Sequence, residues 1–176
     1  MKFALGLWTV ETNGKSRKEP NQSMTFNLLS VLPQLLPSAI AWAEEQSERT
    51  QKTGQPLDTT GLALAARVGV QHPERIRTQL VDALPLPEEP ALRQAALATG
   101  LLGPGMIGLT LGYSIFIVRG YMGNRLVSHE CRHVYQYETY GSIAAFLPVY
   151  LLQIATVGYL NAPFEQDARA HELESC

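Results

Sequence analysis

The stretch Ser128-His129-Glu130-Cys131-Arg132-His133-Val134 constrains this chain more than any other. On an α-helix, positions four apart share a face, about 40° apart around the axis. A helix here therefore sets the imidazoles of His129 and His133 side by side, with Glu130 next to the first. Cys131, two positions after His129, points to roughly the opposite side, where a buried thiol is expected. The flanks favour the helix. Asn124 is a good cap residue, Gly141 follows Tyr140 where a helix would end, and no proline intervenes.

Two imidazoles on one helical face can share a divalent cation, and His-Glu-x-x-His is the spacing of zinc hydrolases. Glu130 is placed to contact a water on the metal rather than the metal itself, which is the position of a general base. A catalytic zinc takes three protein ligands and keeps one position open. Downstream candidates for the third ligand are Glu165, Asp167, His171 and Glu172. Pro163 can begin a helix capped by Asn161 or Ala162, which puts Glu165 in its first turn.

A chain of 176 residues, 45% hydrophobic and 17% charged, can bury a core as one domain. Its net charge of −2 gives no electrostatic footprint for nucleic acid. Two cysteines, Cys131 and Cys176, make no disulfide framework. The apolar run Phe3 to Val10 is too short and interrupted for a convincing signal peptide, so a cytoplasmic location is expected. Residues 101–118 and 143–160 carry no charge. Both are expected to be buried, with peripheral membrane contact through 143–160 as the alternative.

Apolar spacing over Met24 to Glu48 predicts helix, with Pro33 and Pro37 breaking it into two. Glu44 to Asp58 reads as a linker or exposed helix end, and Thr60 to Val70 as a second helix. Pro73 opens a turn into a further helix, where Ile76, Leu80 and Leu84 form an i, i+4 stripe. Three prolines break the chain at 85–90, and Ala91 to Thr99 is helical. Leu109 to Val118 is rich in strand formers, giving one strand or a hairpin. The expected class is α+β, mostly α-helical. A helical region at 1–100, able to wall or cover the site, precedes a metal-binding core at 101–176, in which the strand or hairpin lies beside two helices.

His129-Glu130-x-x-His133 followed by a glutamate on a later helix resembles the gluzincin class of zinc metallopeptidases. Asn161-Ala162-Pro163-Phe164-Glu165-Gln166-Asp167-Ala168 is similar to the Asn-Pro-x-Glu and Glu-x-x-Ala patterns around the third ligand in several gluzincin branches. Gly108-Leu109-Thr110-Leu111-Gly112 resembles the edge strand lining their substrate cleft. The resemblance covers roughly residues 106–174. It implies a zincin-like core around one Zn2+, with His129, His133 and Glu165 as ligands, Glu130 as base and a peptide or protein as substrate. His171 is the rival third ligand. Many gluzincins carry an aspartate four residues after the glutamate, orienting a ligand histidine; here Arg169 stands there, and Glu172 could substitute. Tyr113, Tyr159, His171 and Arg169 are candidate donors to the oxyanion. Gln136, three positions after His133, is expected to be an exposed polar residue, with orienting that histidine or touching substrate as the alternative. The competing class of function is a zinc-binding or interaction protein without efficient catalysis.

Overall fold

The computed structural model describes residues 28–174. The apolar run 3–10, the polar stretch Glu11 to Ser23, the expected helix start at Met24 and Cys176 lie outside the described residues.

The fold is α+β and mostly helical, with a small mixed sheet. Helix α1 (Leu28–Thr53) is continuous, not two helices split at proline. Pro33 and Pro37 lie four apart on its exposed side, so the backbone groups they disturb can turn to water. The buried stripe Leu28, Leu32, Leu35, Ala39 and Ala43 runs on uninterrupted along the other side. The polar stretch from Glu44, expected as a linker or an exposed helix end, is the end of this helix as far as Thr53. Helix α2 (Thr59–Arg67) is capped by Asp58, whose carboxylate accepts from the Gly61 N–H at 2.8 Å.

Beyond α2 the expected helical stripe is a strand. Pro73 does open a short 3-10 turn, but Arg77–Val81 forms β2. β2 lies between β1 (Gln55–Pro56) and β4 (Ser114–Val118), antiparallel to the first and parallel to the second. Leu80, read as part of the stripe, pairs with Ile117. Helix α3 (Pro90–Ala98) belongs to the crossover that parallel pairing requires. Of the single strand or hairpin expected, the hairpin is present: β3 (Gly108–Leu111) turns through Gly112, at φ +63°, into β4. β3 is an edge of the sheet, whose order is β1-β2-β4-β3, so the sheet draws strands from both sides of residue 100.

Period-two alternation along β4 divides the core. Phe116 packs with the apolar side chains of α1, α3 and α5 (Ile143–Val157). Ile115 and Ile117 pack with α2 and with Val127, Cys131 and Val134 of helix α4 (Asn124–Tyr140). Cys131 is fully buried, as expected, and burial pushes its thiol up to about 12. Gly123, not Asn124, is the cap of α4, and Gly141 at φ +82° ends it. Helix α5 buries Phe146, Leu147 and Ile154 and exposes Leu152 and Val157, with Leu160 just beyond. Helix α6 (Pro163–Ala170) starts at the proline expected to start it, with Ala162 as its cap. Among the described residues no helix is long and apolar enough to cross a membrane; α4 and α5 pass such a test only as a pair bent by 117°.

Candidate metal centre

Helix α4 delivers the central residues: His129, Glu130 and His133 are all buried. Helix α6 brings Glu165, only 1% exposed, against them. The Nε2 atoms of His129 and His133 are 3.2 Å apart. Glu165 offers Oε1 to His133 Nε2 at 3.3 Å and Oε2 to His129 Nε2 at 3.7 Å. A tetrahedral ion with bonds of about 2.0–2.1 Å holds its donors about 3.3–3.4 Å apart, so the spacing fits one ion. Among the described residues, these three form the group able to hold a metal.

The partners of the two rings fix their tautomers. His133 Nδ1 lies 2.8 Å from Gln136 Oε1. The Gln136 amide cannot be reversed, because its Nε2 donates to Phe164 O at 3.0 Å and to Asp167 Oδ2 at 2.8 Å. His133 Nδ1 must therefore be the donor. His129 Nδ1 lies 3.1 Å from Glu172 Oε1, a carboxylate that only accepts. Both neutral rings thus turn Nε2 lone pairs toward each other and toward the Glu165 carboxylate. Three acceptors converge with no donor among them, and a cation between them resolves the repulsion. Without a metal, a proton has to serve. Burial opposes it on His133, but the Glu165 carboxylate outweighs burial and raises the His133 pKa. Glu165 is correspondingly lowered to about 2, its own burial overcome by His133 and by the Tyr150 hydroxyl, which donates to Oε1 at 2.8 Å.

Glu130 stands apart from this group. Its Oε2 accepts from Thr110 Oγ1 on β3 at 2.7 Å, and the carboxylate lies over Gly108. It borders the same cavity as the three converging side chains without joining them.

The remaining expected residues divide. Glu172 reaches His129 although α6 ends before it; Arg125 of α4 pairs with its other oxygen. Gln136 is buried at 4% exposure, not solvent-facing, and orients His133. Tyr159 lines the cavity, its hydroxyl pKa raised by burial and then by Glu165. Arg169 Nη1 stands 3.5 Å from Glu165 Oε2. Tyr113 is not brought to the group: it sits at the hairpin turn and donates to Glu138 Oε1 at 2.9 Å, with its pKa raised to about 12 by burial first and Glu138 second. His171 closes α6, its Nδ1 2.8 Å from Asp167 O, and is not among the converging side chains. Asp167 takes a two-pronged bond from Arg132, with Nε to Oδ2 at 2.7 Å and Nη2 to Oδ1 at 3.0 Å. That pair clamps α6 to α4.

Sequence reasoning passed over Tyr150, Thr110 and Arg132, and considered Asp167 only as a metal ligand. Gln136 carried a local signal, one helical turn after His133. No family model, no curated protein and no solved structure matches the chain.

Proposed function

We propose that this protein is a zinc-dependent metallopeptidase of the gluzincin type, hydrolysing peptide bonds, with Glu130 as general base. The observation that carries the reading is the convergence of two Nε2 lone pairs and the Glu165 carboxylate at tetrahedral spacing, with Glu130 beside them and not among them. His129, His133 and Glu165 would hold the ion, a His2Glu donor set with one position open. When bound, zinc lowers the pKa of a water to about 7 and polarises a carbonyl.

This chain's residues supply the rest. Glu172 and Gln136 hold the two rings in the tautomer that presents Nε2. Thr110 holds the Glu130 carboxylate at the cavity wall, where it can take a proton from water and return it to the leaving amine. The Tyr159 hydroxyl, at the cavity wall, would donate to the oxyanion. The reading extends to location. The 143–160 segment carries no charge and exposes Leu152, Val157 and Leu160, apolar side chains suited to the surface of a bilayer.

Metal analysis of the purified protein, paired with cleavage of an unstructured protein, tests the reading. Zinc at one equivalent is expected, lost in His129→Ala and in Glu165→Ala. Glu130→Gln is expected to keep zinc and lose hydrolysis. Turnover in Glu130→Gln matching the parent would remove Glu130 from the mechanism. Zinc binding with no cleavage by the parent would favour the competing class, a zinc-binding protein without catalysis.

A further inference from the structure

The metal group forms part of the wall of a cavity of about 120 Å3. Its polar lining side chains are that group, Glu130, two threonines, three tyrosines and Trp42. Most of the rest is hydrocarbon. Helix α1 contributes Leu28, Leu32, Leu35 and Ala39, and α3 contributes Leu92 and Ala95. No lysine or arginine lines it.

Shape separates two classes of apolar occupant. A void of this size gathered in one place would take a single ring or a branched side chain, since a cavity of roughly 150 Å3 holds benzene. Here the lining follows α1 from Leu28 to Ala43, a run of about 22 Å at 1.5 Å per residue. A wall of that length can be followed by a single file of methylenes, whereas one ring would meet only part of it.

We infer that the cavity binds a linear hydrocarbon chain, and that the substrate class of the site is a peptide or protein carrying an acyl chain close to the bond presented to His129, His133 and Glu165. The substrate assignment rests on the hydrolytic reading above; the binding of the chain does not. An amide carbonyl at the head of such a chain would face the wall that holds His129, His133 and Glu165. The methylenes would displace no hydrogen bonds along the leucines and alanines of α1 and α3, which offer none.

Calorimetric titration of the whole protein with n-alkanols tests this, in zinc-loaded and metal-free forms. Alkanols are neutral and need no metal, so this readout survives a failure of the hydrolytic reading. Affinity is expected to rise about fourfold per added methylene, up to a limiting length, with a negative heat-capacity change. Ala39→Leu and Ala95→Phe, which add bulk to the lining from α1 and from α3, are expected to shorten that limit while leaving zinc content unchanged. Either variant suffices if the other does not fold. Affinity independent of chain length would overturn the inference. So would cyclohexanol or benzyl alcohol outbinding linear alcohols of equal carbon number, which would assign the cavity to a compact side chain.

Discussion

Gly108 lies directly beneath the carboxylate of Glu130: a Cβ built on Gly108 would stand 2.1 Å from Glu130 Oε1 and 2.8 Å from its Cδ. Strand β3 thus approaches the metal helix so closely that only a hydrogen fits between backbone and carboxylate. Thr110, two residues on and on the same face of the strand, grips the other oxygen. Gly108→Ala is expected to push Glu130 out of place without touching His129, His133 or Glu165. Displacing a catalytic group by about 1 Å costs about a hundredfold in rate. We expect a fall of that order in kcat with zinc content intact, read by steady-state kinetics beside metal analysis. Full activity would mean that the carboxylate works from another position.

Gln136 and Glu172 hold the two imidazole rings that would ligate a metal. Gln136→Leu frees His133 Nδ1, and Glu172→Gln weakens the hold on His129 Nδ1. Loss of such supporting bonds weakens metal binding by about 10–100-fold. Competition with a chromogenic chelator would measure it. Zinc affinity unchanged in both variants would mean that the rings are oriented by packing alone.

Asp167 should govern part of the acid limit of stability. Its burial would raise its pKa, but the bonds from Arg132 and Gln136 outweigh burial and lower it. A carboxyl lowered in the folded state contributes stability in full above its unfolded pKa of about 3.9. That contribution is lost as pH falls below this value toward the lowered folded pKa. Urea midpoints of the parent should therefore drop more steeply below about pH 4 than those of Asp167→Asn. Parallel profiles would show that the clamp between α4 and α6 contributes nothing through its charge.

The exposed face beyond the metal helix makes a separate prediction. The full chain should co-sediment with uncharged phosphatidylcholine vesicles, insensitive to salt, because residues 143–160 offer apolar area and no charge. Leu152→Glu with Leu160→Glu should abolish this. Equal sedimentation of parent and double variant would detach 143–160 from any contact with lipid.

The helix from Asn124 to Tyr140 was legible because its signals are local: two histidines at i and i+4, good helix formers and a glycine at the end. Pro163 announced α6 and put Glu165 in its first turn in the same way. Strand formers around Gly112 gave the hairpin. By contrast, the stripe Ile76, Leu80, Leu84 matched a helical period, yet Arg77–Val81 lies in the sheet. Pairing on both sides, with β1 and β4, overrode a short stretch that fits either period. Pro33 and Pro37 signalled a break that exposure to water made unnecessary.

By itself, then, the order of residues determined which side chains could serve as a metal's ligands and which helices would carry them, because spacing along one helix fixes direction over a few residues. Tertiary structure alone decided the rest. Gln136 meets Asp167 across 31 residues of chain, Thr110 meets Glu130 across 20, and Tyr150 meets Glu165 across 15. The cavity needs walls from α1, α3 and β3 together. Such contacts have no period to read; they arise when separate elements pack and each buried polar atom has to find a partner within reach.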